Sequence, residues 1–354
     1  MRKILVINPG STSTKIAVYE NEKVILVHSF SHSADELKPF VSVYEQYRFR
    51  RDLIIRHLEN NGIASDDFAA VVGRGGMLRP VVSGVYEVND RMLTDLQQAL
   101  YGEHASNLGA IIAHSIAESI SGCRAFIADP VVVDELQEVA RVSGLPQIPR
   151  RSIFHALNQK AIARKYALEK ALSYESMNLI IAHLGGGISV SAHRLGRVVD
   201  TNQALGGFGP FSPERAGTLD CDALVKMCFS GEYSEAEIKK MIVGRGGVVA
   251  HLGTNNVGEV VGMAKQGNAY AQLIVDALSY NVAKEIGAMA VVLENKIDAI
   301  IITGGIAHNS MITDKIEGMV SFFAPVTVVP GEDELGALAM SGLRAFEGES
   351  CKEY

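Results

Sequence analysis

Lys3-Ile-Leu-Val-Ile-Asn-Pro-Gly-Ser-Thr-Ser-Thr-Lys15 is the stretch from which the fold of the chain can be worked out. Its apolar run Ile4–Ile7 predicts a buried strand, Asn8-Pro9-Gly10 ends that strand, and Ile16–Tyr19 predicts a second strand directly afterwards. A glycine turn rich in hydroxyl groups exposes N–H donors that can cradle a phosphate group. An ordinary hairpin with a polar turn shows the same pattern, so this stretch alone leaves both interpretations open.

The same pattern returns in the second half of the chain. Asn178–Ala182 predicts a buried strand, His183-Leu-Gly-Gly-Gly187 a turn, and Ile188–His193 the returning strand. A further predicted strand, Ala299–Thr303, runs into Gly304-Gly-Ile-Ala-His-Asn309. Such a repeat predicts two similar α/β halves whose glycine turns face a shared cleft, the arrangement expected where a nucleotide lies between two domains.

Length and composition agree with a two-domain globular protein. The chain has 354 residues, of which 47% are hydrophobic, and a formal net charge of −7, which does not favour nucleic acid or an anionic membrane as a partner. The four cysteines show neither a paired metal-binding spacing nor a disulfide framework, so we expect reduced thiols in the cytoplasm. The apolar run in Met1–Ile7 is too short for a signal peptide, and charged residues in the helical pattern Asn268–Glu294 argue against a membrane span.

The domain junction is predicted in a stretch rich in turn formers. Pro146 and Pro149 follow Ser143-Gly144, just before the strong helical pattern Phe154–Ser173. We therefore predict an N-terminal domain of residues 1–149, which the C-terminal helix at about 335–354 joins. The second domain, residues 150–334, is expected to carry most of the nucleotide site.

Two arginines lie in predicted loops from which their guanidinium groups could reach an anion. Arg74 follows a predicted strand between Gly73 and Gly75, where it could grip a carboxylate or a phosphate with two hydrogen bonds. Arg215 lies in Phe208–Thr218, which is too rich in Gly and Pro for regular structure and too apolar for a plain linker, so an ordered active-site loop is predicted. The alternatives are a solvated loop arginine and a surface ion pair with Glu214.

Several other polar residues have both a functional and a structural interpretation. Asp129 follows a buried strand and could hold Mg²⁺ through water, but Asp-Pro also begins turns. His183 could stabilise charge on a transferring phosphoryl group or be a satisfied histidine at a strand end. Glu332 and Glu334 precede the terminal helix, where acidic residues are favourable in any case. Two residues interrupt a predicted helix and could line the cleft or serve capping and packing: His104 and Asn107.

Taken together, these motifs resemble the acetate and butyrate kinase (acetokinase) family over nearly the whole chain. Asn8–Lys15 is similar to the opening signature of that family, His183–Gly187 to its second signature, and Pro330–Leu335 to its closing segment. Ser152–Lys160 and His251–Asn255 resemble the butyrate kinase side of the family.

The resemblance implies a fold and a reaction. The fold would be that of the sugar kinase, heat-shock and actin superfamily, with two ribonuclease-H-like domains and an interdomain cleft. The reaction would be reversible, direct in-line transfer of the ATP γ-phosphoryl group to butanoate, with Mg²⁺, giving butanoyl phosphate and ADP. Isobutyrate, acetate and propionate are alternative substrates, and an ATPase or a chaperone on the same fold is the alternative of a different class. A homodimer or a higher homo-oligomer is also expected.

The resemblance also assigns roles to residues. Asp129 becomes the catalytic acidic residue, His183 the transition-state donor, and Arg74 and Arg215 the clamps on substrate and phosphoryl group. The implied substrate- and phosphate-binding residues are Asn8, Ser11, Ser13, Lys15, His104 and Asn107. The implied nucleotide-binding residues are Gly185, Gly186, Gly187, Gly304, Gly305, Ile306 and Asn309. The implied metal ligands are Glu334, Glu332 and Asn8.

Two departures from acetate kinases leave alternatives open. Glu332-Asp333-Glu334 stands where acetate kinases tend to have paired glutamates, so the carboxylate that serves Mg²⁺ is not decided. Asp129 is followed by Pro130 and the aliphatic run Val131–Val133 rather than by a polar and aromatic sequence, which disfavours acetate. The valines could wall an acyl pocket or pack into the domain core.

Overall fold

The structure is a computed structural model that describes residues 2–354, except for the side chain of Ser65. The described residues form eleven strands: β1 Lys3–Pro9, β2 Ser13–Glu20, β3 Lys23–Ser31, β4 Phe68–Arg74, β5 Val85–Glu87, β6 Arg124–Ala128, β7 Asn178–Leu184, β8 Ile188–Arg194, β9 Arg197–Thr201, β10 Ala299–Gly304 and β11 Val326–Pro330.

The same residues form thirteen α-helices. These are α1 Ala34–Leu37, α2 Tyr47–Asn60, α3 Asp90–Gln97, α4 Asn107–Ala117, α5 Glu138–Arg141, α6 Ala156–Glu169, α7 Cys221–Cys228, α8 Glu235–Ile242, α9 Val248–Leu252, α10 Val257–Lys265, α11 Ala269–Val292, α12 Ser310–Val320 and α13 Glu334–Phe346. Among the described residues, no helix is long and apolar enough to cross a membrane.

The chain divides into two compact units. Unit 1 comprises Met1–Val133 and Asp333–Tyr354, and unit 2 comprises Asp134–Glu332. The chain thus passes from unit 1 to unit 2 after Val133, rather than after residue 149 as predicted from the turn formers. The reason is that Glu135 accepts hydrogen bonds from Lys160 Nζ (2.7 Å) and Val198 N (2.9 Å), which tie the start of this stretch to unit 2.

Unit 1 is built on a six-stranded sheet of order β3-β2-β1-β4-β6-β5. The hairpin partners β1 and β2 are antiparallel, as are β2 and β3, whereas β4 runs parallel to both β1 and β6. Helices α2, α3 and α4 contribute to a core on one face of the sheet, and α13 packs against β1, β4 and β6. The predicted strands of the opening hairpin are confirmed.

Unit 2 repeats this topology in a five-stranded sheet of order β11-β10-β7-β8-β9. Strands β7, β8 and β9 are antiparallel neighbours, and β10 runs parallel to β7 and β11. The order matches β6-β4-β1-β2-β3 of unit 1, so the predicted repeat of strand, glycine turn and strand is confirmed. Helices α9–α12 contribute to the larger core, while α6 contributes to the smaller core cluster with residues of β7 and β10.

Candidate functional site

The turn between β1 and β2 is held from behind by a buried arginine that the sequence analysis missed. Arg50 of α2 is 1% exposed, and its guanidinium donates to the carbonyl oxygens of Gly10 (2.7 Å), Ser11 (3.0 Å) and Ser13 (2.8 Å). It also donates to Thr14 Oγ1 and Gln46 Oε1, so all five acceptors are uncharged. Burial lowers the pKa of Arg50 to about 10. The one local signal was its spacing, because Arg50 precedes the buried residues Ile54 and Leu58 by one and two helical turns.

The predicted phosphate-binding side chains of this turn lie near the surface. Ser11 and Lys15 are exposed, and Ser13 is half-buried. Because Arg50 fixes the carbonyl oxygens of the turn, the backbone around these side chains is held in one conformation. This arrangement is compatible with the phosphate-binding role, which remains a prediction.

Asn8, Arg74 and Glu334 form one hydrogen-bonded cluster in unit 1. Glu334 Oε2 accepts from Asn8 Nδ2 (2.6 Å) and from Arg74 Nη1 (2.9 Å), and Arg74 Nη1 lies 3.3 Å from Asn8 Oδ1. Arg74 is placed by close packing of β4 on α4, since a Cβ at Gly109 would overlap the backbone of Arg74. The structure therefore brings together three predicted site residues that are far apart in sequence.

Asp129 follows β6 with a left-handed backbone, at a φ of 38°. Its Oδ1 accepts from Ser83 Oγ (2.6 Å) and from Gly84 N (2.9 Å), and the residue is 2% exposed. These contacts fix the chain that leads into β5. The catalytic role of Asp129 remains a prediction, but the structure adds a positioning role within unit 1.

The environment of the valines after Asp129 bears on one of the open alternatives. Val132 and Val133 are buried, and Val131 and Val132 pack in the hydrophobic core of unit 1. The second interpretation of this run, packing into the domain core, agrees with these contacts. The acyl pocket stays a prediction.

Asn107 and His104 make local contacts. Asn107 is buried, its Oδ1 accepts from Met77 N (2.8 Å), and its Nδ2 donates to Gly102 O (2.9 Å). His104 Nδ1 lies 2.8 Å from Ser106 Oγ. Both side chains thus have packing or capping partners, which was the structural alternative for them.

In unit 2, His183 at the end of β7 stacks on a second imidazole, that of His155. The ring centroids lie 3.8 Å apart and the ring planes differ by 14°. His183 Nδ1 lies 2.8 Å from Asn158 Oδ1, and His183 Nε2 lies 3.3 Å from Glu332 Oε1. His155 was missed as a site residue, although it lies within Ser152–Lys160, a segment that the sequence had singled out only for its resemblance.

Arg215 contacts the turn between β7 and β8. Its Nη1 donates to Ala204 O, and a Cβ at Gly187 would overlap its guanidinium. Ser212 Oγ donates to Gly186 O (2.7 Å), so the loop that carries Arg215 is tied to the same turn. Burial lowers the pKa of Arg215, an effect that the neighbouring Glu214 carboxylate opposes.

A cavity of about 520 Å³ in unit 2 joins the second and third glycine turns. Of the residues predicted to bind a nucleotide, its lining includes Gly185, Gly186, Gly305, Ile306 and Asn309. Other lining residues are Pro213, Glu214, Asn255, Asn256, Val257, Gly258, His308 and Glu332. The structure thus brings five of the seven residues together around one space.

The remaining two glycines are explained by close packing. Gly187 lies against Arg215, and Gly304 has a φ of 94°. A Cβ at Gly304 would overlap the backbone carbonyl of Leu184. Only glycine fits at these two positions without a rearrangement.

The donor set of unit 1 fits Mg²⁺ with few protein ligands. Among residues 2–354, no group of three or more His, Cys, Asp or Glu side chains is placed to hold a metal ion. Mg²⁺ in phosphoryl-transfer enzymes is bound by one or two carboxylates together with water and substrate phosphates. The half-buried Glu334 carboxylate and Asn8 Oδ1, which both contact Arg74 Nη1, offer oxygen donors of that kind.

Comparison with known proteins decides the family. A sequence model of the Acetokinase family matches residues 147–323. The chain is 54% identical to "Butyrate kinase 2" of Clostridium acetobutylicum over 353 residues, which cover 99% of each chain. The chain belongs to the acetokinase family. This acetokinase family member is also 52% identical to "Probable butyrate kinase" of Bacteroides thetaiotaomicron over 98% of each chain.

The fold prediction is confirmed by a solved structure of the same family. The crystal structure of Porphyromonas gingivalis acetate kinase superposes on this acetokinase chain with a TM-score of 0.80 at 19% identity. The match covers 98% of this chain and 100% of the acetate kinase chain. The predicted two-domain α/β architecture is therefore that of the acetokinases.

Proposed function

We propose that this acetokinase is a butyrate kinase, which transfers the γ-phosphoryl group of ATP to butanoate and gives butanoyl phosphate and ADP reversibly. The observation that carries the proposal is the match at 54% identity, over 99% of both chains, to a protein named butyrate kinase. The fold and the arginine and histidine positions support the same reaction class.

The chemistry needs charge neutralisation rather than a general base. A short-chain carboxylic acid has a pKa near that of a Glu side chain, roughly 4 to 5, so the substrate is already a carboxylate at neutral pH. What opposes the reaction is the approach of two anions, and phosphoryl-transfer enzymes overcome it by positioning and by cationic or donor groups.

We assign the roles as follows. Arg74 and Arg215 are the clamps on substrate and phosphoryl group, and His183 is the donor to the oxygens of the phosphoryl group. The Arg74 guanidinium donates to Glu334 Oε2 and to Asn8 Oδ1, which holds it beside the proposed metal ligands. Asp129 orients the end of β6 rather than acting as a base, because no proton has to be removed from the substrate.

The cavity of unit 2 is the proposed nucleotide site. Its volume of about 520 Å³ is in the range of small-molecule sites, and its glycines let a nucleotide approach the backbone closely. Asn309 ends the 3₁₀ turn Gly305–His308 and precedes α12, so donors of that helix start near the space.

Mg²⁺ is proposed as the cofactor, with Glu334 and Asn8 as its protein ligands. When bound, the ion would neutralise charge on the phosphates. Glu334 is the more suitable ligand, because it lies within hydrogen-bond distance of Asn8, the other proposed ligand, whereas Glu332 lies beside His183. Glu334→Gln should therefore raise the Mg²⁺ concentration for half-maximal activity more than Glu332→Gln does, and an equal or reversed shift would contradict this assignment.

The deciding experiment is kcat/KM across acetate, propionate, butyrate, isobutyrate and valerate with ATP, measured by trapping the acyl phosphate as its hydroxamate. An apolar site gains roughly 0.8 kcal/mol for each buried methylene, so two methylenes favour butyrate over acetate by about tenfold. A higher value for acetate would assign the protein as an acetate kinase. ATP hydrolysis without any acyl phosphate would assign it as an ATPase.

We also propose a cytoplasmic location and a homo-oligomer. Four cysteines are free thiols in the structure, which suits a reducing compartment. Light scattering of the purified protein would test the oligomer.

A further inference from the structure

A chain of buried hydrogen bonds leads from Tyr174 to His155, and the proposed mechanism makes no use of it. Tyr174 OH lies 2.7 Å from His193 Nδ1, and His193 Nε2 lies 2.9 Å from Gln159 Oε1. Gln159 Nε2 donates to Ser189 Oγ at 2.8 Å, and Ser189 Oγ lies 2.7 Å from His155 Nδ1. Gln159, Ser189 and His193 are completely buried, so these groups depend on one another as partners.

The direction of each hydrogen bond follows from the fixed donors and acceptors. Gln159 Nε2 also lies 3.1 Å from the carbonyl oxygen of Ser189, which can only accept, so the amide nitrogen is the end that faces Ser189. Gln159 Oε1 therefore faces His193, whose Nε2 must carry a hydrogen. Burial, with help from Lys160 and Arg164, holds the pKa of His193 well below its usual value. A neutral His193 then accepts from Tyr174 OH at Nδ1.

The hydroxyl group of Ser189 passes this direction on to His155. It accepts from Gln159 Nε2 and, at 3.4 Å, from the backbone N–H of His155. With both lone pairs engaged, the hydroxyl can only donate to the third contact, His155 Nδ1. A neutral imidazole whose Nδ1 accepts carries its hydrogen on Nε2.

We propose that Ser189, Gln159 and His193 are positioning residues that hold His155 as its Nε2–H tautomer. The neighbouring imidazole is held differently, because His183 Nδ1 faces the amide oxygen of Asn158 and must donate to it. In the stacked pair both imidazoles thus commit Nδ1 to the protein, as an acceptor in His155 and as a donor in His183. That the Nε2–H of His155 serves phosphoryl transfer rests on the proposed function, whereas the tautomer itself does not.

The tautomer can be measured without substrates. Long-range ¹H–¹⁵N correlation spectra of the whole protein, labelled at histidine nitrogens, distinguish the two tautomers, and His155→Gln assigns the resonances of that ring. We expect wild-type His155 to show a protonated Nε2 and a non-protonated Nδ1 at neutral pH. A protonated Nδ1 on His155 in the wild-type protein would overturn the proposal.

Two substitutions test the chain itself. Gln159→Glu replaces the donor at Ser189 by an acceptor of the same shape. The Ser189 hydroxyl should then donate to the new carboxylate instead of to His155 Nδ1, and His155 should lose its Nε2–H tautomer. Tyr174→Phe removes only the far end of the chain, and His155 should keep its tautomer. If Gln159→Glu folds and leaves the His155 resonances unchanged, the proposed positioning by this chain of hydrogen bonds is refuted. The same holds for a Ser189→Ala protein in which they are unchanged.

Activity supplies a second readout. Partners that orient metal-bound histidines affect activity by roughly 10- to 100-fold, and we expect a kcat loss of that size for Ser189→Ala with little change in either KM. Ser189→Thr keeps the hydroxyl and should recover part of the loss if it folds. If the wild-type enzyme forms no acyl phosphate, the proposed function fails while the tautomer result stands. If the tautomer is wrong in an active enzyme, only this inference fails.

Discussion

The first and second glycine turns have the same strand, turn and strand pattern, but an arginine serves each of them in a different way. At the turn between β1 and β2, the buried Arg50 lies behind the backbone and donates to three carbonyl oxygens. At the turn between β7 and β8, the half-buried Arg215 lies against Gly187, and Ser212 makes the hydrogen bond to the backbone of the turn. The comparison suggests that Arg50 stabilises a conformation, whereas Arg215 is available for chemistry.

The largest effect is expected on catalysis when the two half-buried arginines of the proposed site are removed. Arg215→Ala and Arg74→Ala should each lower kcat/KM by ~10³-fold or more while leaving the fold intact, because both lose a charge that phosphoryl transfer requires. Arg197→Ala is the matched control, since Arg197 is an exposed arginine of β9 in the same sheet as the second turn. Near-normal activity of either variant would remove that arginine from the mechanism.

The next largest effect is expected on stability at the other turn. Arg50→Met removes a charged donor from three carbonyl oxygens, of which Ser13 O keeps a backbone donor in Gly10 N, so the free energy of unfolding should fall by ~3 kcal/mol. Arg50→Lys keeps a charge but not the planar fork of donors, and it should recover only part of the loss. Urea unfolding measures both. If Arg50→Met were as stable as the wild-type protein, the scaffold role would be wrong.

The sequence predicted the hairpins but not the arginine behind the first one. Strands and turns could be located because apolar runs such as Ile4–Ile7, and the glycines that end them, act locally. Arg50 lies about 40 residues from the turn that it supports. A single arginine within a helix forms no motif that would connect it to that turn. Its spacing to Ile54 and Leu58 places Arg50 on the buried face of α2, but it does not indicate which groups the arginine binds.

The candidate site shows the same limit. The cavity residues Gly185 and Gly305 were found because strand-to-glycine turns are visible in sequence. His155 was overlooked because its partner Ser189 lies 34 residues away on β8. Asp129 was recognised as the start of a turn, but the contacts that hold it come from Ser83 and Gly84, which only the folded sheet brings near.

A smaller effect is expected when a glycine of each turn is replaced by alanine, and the two turns should respond differently. A Cβ at Gly187 would displace the Arg215 guanidinium, and a misplacement of about 1 Å can cost ~10²-fold, so Gly187→Ala should lower kcat/KM by that order. A Cβ at Gly10 would lie 3.0 Å from Ser13 Oγ, a side chain that can rotate away, so Gly10→Ala should change thermal stability little. An active Gly187→Ala enzyme would show that Arg215 need not occupy this position.

The smallest effect is expected from the hydrogen bond that takes the place of Arg50 at the second turn. Ser212→Ala removes the donor to Gly186 O, and one neutral hydrogen bond contributes about 1 kcal/mol, so unfolding free energy should fall by that amount. The loss should be clearly less than that of Arg50→Met, because a single neutral donor is lost instead of a charged group with five acceptors. Urea unfolding of both variants under the same conditions makes the comparison direct. Equal losses would mean that the single hydrogen bond of Ser212 stabilises its turn as strongly as Arg50 stabilises the first one, which would contradict the proposed difference between the two turns.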